Sequence, residues 1–143
     1  MEIESYSPSA FSGTKGFGHS QSNREAKLGF GALSDERTNK GFDLNEELIR
    51  NKPATYFMRV TGNSMINAGI FDGDIVIVDR SIKPQSGKIV IAVIDGEMLI
   101  RRLDISMNRM RLIPETPKLA TIEISEFSNC AIWGVVTFNI HAT

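Results

Sequence analysis

The sequence predicts a mostly β protein: a compact domain of short, largely antiparallel strands, preceded by a flexible N-terminal arm and one short helix. Three observations carry this expectation. From Ala54 onward, short runs rich in isoleucine and valine recur at close intervals with little helical periodicity between them. Asp95-Gly96 separates two of those runs and suits a two-residue hairpin, in which both central residues need positive φ. The first 43 residues follow neither pattern, and residues 5–22 hold six serines and three glycines with no sustained period of 2 or 3.6.

An arm of that composition buries too little apolar surface to offset the entropy of ordering, so residues 1–43 are read as mobile. Phe11, Phe17 and Phe30 interrupt it and point to docking on an apolar surface. The stretch from Asp43 to Arg50 then reads as a short helix. Asp43 can cap it, Glu46 lies in the first turn, Arg50 in the last, and Leu44 and Leu48 share a face. Pro53 stops it. Strands are expected near Tyr56–Val60, Ile75–Asp79, Lys88–Ile94, Met98–Leu103, Met110–Pro114, Thr121–Ile124 and Ile132–Ile140, all within a folded domain over residues 44–143. No internal repeat or long heptad pattern competes with this reading.

Composition narrows the function. With 41% hydrophobic residues the chain can build one modest core. A formal net charge of −1 leaves no basic footprint for nucleic acid, so direct DNA binding is not expected. The apolar runs fall well short of the roughly 20 residues that span a bilayer. Met1-Glu-Ile-Glu4 also lacks the positive start of a signal peptide. Cys130, the single cysteine, excludes an internal disulfide and suits a reducing cytoplasm, where it reads as a small hydrophobe within a strand. His19 lies in the arm and His141 near the end, apart from any cluster of ligands, so neither a metal nor another cofactor is expected.

Ser64 carries the candidate chemistry. A lone serine between Asn63 and Met65 is ordinarily a turn residue or a cap. Its setting singles it out, because Gly62 and Gly69 permit close backbone approach and the Asn63 and Ser64 amides could form an oxyanion pocket. Neither histidine is placed to be held beside it, so a Ser-His-Asp triad is not expected. Activation would fall to a lysine. In an apolar pocket the charged amine is costly to maintain, and the neutral form can take the serine proton.

The ordered stretches Leu28-Gly-Phe30, Asp43-Leu-Asn45, Pro53-Ala-Thr-Tyr-Phe57, Gly62-Asn-Ser-Met-Ile66, Asp72-Gly-Asp74, Ile77-Val-Asp79, Asp95-Gly-Glu97, Leu112-Ile-Pro114 and Trp133-Gly-Val-Val136 belong together. In that order and spacing they resemble the LexA/UmuD family of self-cleaving serine-lysine peptidases, most closely its UmuD-type members, the accessory subunits of polymerase V. The resemblance runs from about Lys27 to Val136. It implies a nucleophile at Ser64 and a base four residues beyond Glu97. That position, 37 residues after Ser64, holds Arg101, and Arg102 follows it. A guanidinium stays protonated and asks for several acceptors, so it does not serve as a general base. Lys88, across the hairpin, and Lys83, in a turn, do not easily replace the missing lysine. Arg101 has two readings, a naturally inactive relative or a substitution that preserves the uncleaved chain.

Members of this family cut their own arm before a glycine. Counting back 15 residues from Asp43 places that bond at Leu28-Gly29, with Leu28 larger than the residue common there. The resemblance implies a role in the SOS response: a homodimer meets the RecA nucleoprotein filament, loses its arm, and joins a UmuC-like Y-family DNA polymerase. Whether the chain is an active hydrolase turns on Arg101. Two other readings stand beside this one, a non-catalytic interaction protein of the same fold and a LexA-like repressor fragment. The repressor needs a helix-turn-helix, and residues 1–43 show no pair of amphipathic helices and no basic recognition face.

Overall fold

The computed structural model describes residues 2–8, 41–125 and 129–143. Among these, eight strands form one antiparallel sheet: β1 (Ile3–Pro8), β2 (Thr55–Val60), β3 (Ile75–Asp79), β4 (Ile89–Ile94), β5 (Glu97–Ser106), β6 (Arg109–Ile113), β7 (Ile122–Ile124) and β8 (Cys130–Ile140). Their spatial order is β1-β2-β3-β8-β4-β5-β6-β7. The last seven match the strands expected from the sequence, with ends that shift by three residues at most. Asp95 and Gly96 turn at φ 49° and 83°, as a tight hairpin requires.

Two apolar clusters hold the sheet. The first joins Ile3, Met58, Val60, Val76, Val78, Ile91 and Ile100 with Met65 and Ile70 from the loop after β2. It draws on β1 to β5, so the sheet curls until its first edge meets the fifth strand. The second gathers Val90, Ala92, Leu103, Leu112 and Val135. On β4, Ile91 serves the first cluster while Val90 and Ala92 serve the second, the alternation that a pleated strand imposes. At Gly134, a Cβ would lie 2.6 Å from Val78 Cγ1, so β8 and β3 approach there only because a side chain is missing.

Two features differ from the sequence reading. Ile3–Pro8 is an edge strand, whereas the composition of residues 1–43 predicts a mobile arm throughout. Its signal is faint because, among its residues of described burial, only Ile3 lies in the buried core, Tyr6 is 56% exposed, and a register shift breaks the alternation between Ile3 and Ser5. Serines and a proline are tolerated on an edge that pairs on one side only. The helix, α1, is shorter than expected at Leu44–Leu48, and it buries no residue. Its cap is as expected, with the Asp43 carboxylate accepting from Asn45 N–H at 2.9 Å. Pro53 sits in a separate 3-10 turn, Lys52–Ala54. Leu28, Gly29, Phe11, Phe17 and Phe30 lie outside the described residues.

Candidate active site

The loop between β2 and β3 is built on glycines at positive φ, with Gly62 at 86°, Gly69 at 82° and Gly73 at 85°. The Asp72-Gly-Asp74 turn closes it. Asp72 accepts from Gly62 N–H at 2.7 Å, Gly73 N–H donates to the Val60 carbonyl at 2.8 Å, and Val60 N–H donates to the Asp74 carbonyl at 2.9 Å. Ser64 lies inside this loop, 3% exposed. Its carbonyl accepts from Glu115 N–H at 2.9 Å, and the Glu115 carbonyl accepts from Asn67 N–H at 2.9 Å. The Glu115 carboxylate in turn pairs with Arg102 of β5 at 2.5 Å. The serine loop is thereby tied to the strand that carries the candidate base position. The 3-10 turn Ile66–Ala68 follows it, ending at Gly69.

Arg101 is 5% exposed. Its Nη1 donates to both carboxylate oxygens of Glu2, at 2.7 and 2.6 Å, and to the Ile100 carbonyl at 2.7 Å. Glu2 Oε2 also accepts from Ile100 N–H at 3.0 Å, and the Glu2 carbonyl accepts from Thr61 N–H at 2.7 Å. Glu2 therefore spans from the serine loop to β5. Ser64 Oγ has no hydrogen-bonding partner among the described residues, and neither do Arg101 Nε and Thr61 Oγ1. The structure buries both candidate residues but makes no bond between them.

The other sequence candidates also have positions. Asn63 is exposed on the loop. The described lysines Lys52, Lys83, Lys88 and Lys118 are all exposed, so none is held in a dry pocket as a base must be. His141 is engaged elsewhere, with Nδ1 2.5 Å from Asp74 Oδ1. Cys130 begins β8, half-buried; burial and then the nearby Asp95 charge push its thiol upward, as suits an unreactive residue. No cluster of metal-ligating residues occurs among the described residues, and no helix there is long and apolar enough to cross a membrane. Sequence reasoning missed Glu2 and Glu115. Glu2 had no signal at all, since its contact with Arg101 joins residues 99 apart.

A curled antiparallel sheet with a buried serine on a glycine loop, tied to a strand of fixed separation, defines a peptidase domain of the LexA/UmuD type. The chain belongs to the Peptidase S24-like family, matched over residues 21–137. It is similar to Protein SamA of Salmonella typhimurium, with 40% identity over 115 residues, 80% of this chain and 79% of the relative. Protein ImpA of Escherichia coli is 38% identical over 118 residues, 82% of this chain and 79% of the relative. The LexA repressor of Xylella fastidiosa is 45% identical over 80 residues, 56% of this chain and 38% of the relative.

Proposed function

We infer that this chain is a UmuD-type accessory of SOS-response translesion synthesis whose self-cleavage is very slow or absent. In this reading the protein is a cytoplasmic homodimer that meets the RecA filament and serves a UmuC-like Y-family polymerase. One observation carries the cleavage part: among the described residues Ser64 Oγ has no partner and Arg101 is committed to Glu2, so no described group takes the serine proton. The Asn63 and Ser64 amides remain suited to an oxyanion, and Leu28-Gly29 remains the bond to be cut, but the attack lacks its base. RecA would act by shifting the population toward the pose with the arm in the site, and tethering would supply the effective concentration. Neither supplies a proton acceptor. Similarity to SamA and ImpA over most of both chains supports the accessory reading above the repressor one. If the chain never cuts, it is the non-catalytic interaction protein of the same fold, and Arg101 is the residue that favours that second reading.

Incubation with activated RecA filaments, followed by mass spectrometry, tests the proposal. The expected result is a persistent intact mass. A fragment beginning at Gly29, abolished by Ser64→Ala, would overturn it.

The homodimer has its own support. On the sheet face opposite the first cluster, cross-strand rows set Phe57 beside Ile77 beside Phe138, with Ile77 itself buried, and Arg59 beside Ile75 beside Ile140. Phe138 and Ile140 are 38% and 46% exposed, and an open groove of about 540 Å³ is lined in part by Phe57, Arg59, Ile75 and Ile140. A second copy would cover this apolar face. Sedimentation equilibrium at micromolar concentration is expected to give a dimer, and Phe138→Asp a monomer. A monomeric parent chain would remove the dimer from the proposal.

A further inference from the structure

The Glu2–Arg101 pair is unlike a surface ion pair. The two side chains are 17% and 6% exposed, and an arginine buried to that degree requires a carboxylate because an unpaired charge there is very costly. Glu2 also accepts from the Ile100 amide, on a stretch of β5 that β6 leaves uncovered, since the β5–β6 pairing starts only at Arg102. A buried guanidinium and an unpaired strand N–H converging on one carboxylate are the parts of a recognition site. Among the described residues, Arg101 engages Glu2 through Nη1 alone, leaving Nε without an acceptor, and the hydroxyls of Thr61 and Ser64 are unpartnered on the loop that Glu2 also touches.

The segment that delivers Glu2 is an extended strand laid along the outer edge of β2, with Ile3 opposite Val60 and Pro8 opposite Tyr56. Ile3 enters the core, and Tyr6 packs against Trp133 and Tyr56 with ring centroids 5.7 and 6.0 Å apart. Backbone pairing along an edge, with pockets for alternate side chains, is how sheets capture peptides. We propose that Arg101 and the Ile100 amide form a carboxylate-recognition site for an extended acidic peptide added to the edge of β2. Glu2–Pro8 is the copy of that peptide which the chain itself carries. While Glu2 is seated the edge is closed; release of β1 opens it to another acidic strand. The proposal rests on reading the Ser64–Arg101 region as the functional site and adds the chemistry of its ligand.

Hydrogen exchange of the full chain, read by mass spectrometry over residues 3–7, is the test. Glu2→Gln is isosteric and neutral; Glu4→Gln, at an exposed neighbour, is the control. Protection of β1 is expected to fall by about 10-fold or more in Glu2→Gln, the scale of a charge-assisted hydrogen bond, and to be retained in Glu4→Gln. If the lone Arg101 charge unfolds the single variant, the double variant Glu2→Gln/Arg101→Gln leaves no charge unpaired, and β1 should still lose protection. A labelled peptide with the sequence of residues 2–8 should bind the full-length Glu2→Gln chain about 10-fold more tightly than the same peptide with glutamine first. Unchanged β1 protection in the variants, or equal affinity for the two peptides, would overturn the proposal. None of these readouts involves cleavage. A chain that cut itself with RecA would refute the functional reading and leave the carboxylate result standing.

Discussion

Arg101→Lys is expected to switch on self-cleavage at Leu28-Gly29, raising its rate by at least about 100-fold over the parent chain in the presence of activated RecA, as general-base catalysis allows. The argument is one of protonation. The site already buries Ser64 and ties its loop to β5 through Glu115 and Arg102, so it needs only a group that can exist without charge. A lysine at 101 would inherit an environment with 5% exposure, in which desolvation favours the neutral amine. Glu2 pulls the other way, because a carboxylate beside an ammonium holds it charged. Arg101→Lys combined with Glu2→Gln should therefore cut faster than Arg101→Lys alone, and Ser64→Ala should silence both. Gel or mass-spectrometric time courses give the rates. No cleavage in either lysine variant, with the fold intact by circular dichroism, would mean that Leu28 or the loop geometry blocks the reaction.

The strands from β2 to β8 were legible because each satisfies a local rule. Their β-branched runs alternate or stay continuously apolar, and Asp95-Gly96 names its own turn. The β5–β6 turn was harder to read, since Met107 and Asn108 adopt φ of 50° and 62° without a glycine. β1 was invisible for a different reason. Ile3 alone among its residues of described burial reaches the core, so the strand owes its order to the β2 edge, to Tyr6 on Trp133 and to Glu2 on Arg101, contacts that no sequence window contains. Ser64 and position 101 could be found because their spacing resembles a family. What holds Arg101 could not be, because the curl of the sheet brings Glu2 to β5 after folding.

Asp74→Ala is expected to destabilise the domain by about 3 kcal/mol, roughly 10 °C in Tm, more than an ordinary surface change. Asp74 is 3% exposed and is the acceptor for three donors. Phe71 N–H reaches Oδ2 at 2.8 Å, Asn139 Nδ2 reaches the same oxygen at 2.9 Å, and His141 meets Oδ1. Removing the carboxylate leaves the Phe71 amide without its acceptor and takes away two of the ties between the end of β8 and the loop that holds Ser64, with the Asn139 bond to the Gly69 carbonyl remaining. Burial by itself raises this carboxyl, but the bonds from Phe71, Asn139 and His141 outweigh it and hold the group below its ordinary value. The sign of the pH effect follows. A depressed folded value means that the contribution is complete above the unfolded carboxyl value, about 4, and is lost as the pH falls through the folded one. Urea unfolding of parent and variant should show a constant gap from about pH 7 to 5 that narrows below about pH 4. A gap that stays constant into acid would show that Asp74 acts through its shape rather than its charge. Because the same residue fixes the loop carrying the serine, Asp74→Ala should also slow the Arg101→Lys variant at pH values where both remain folded.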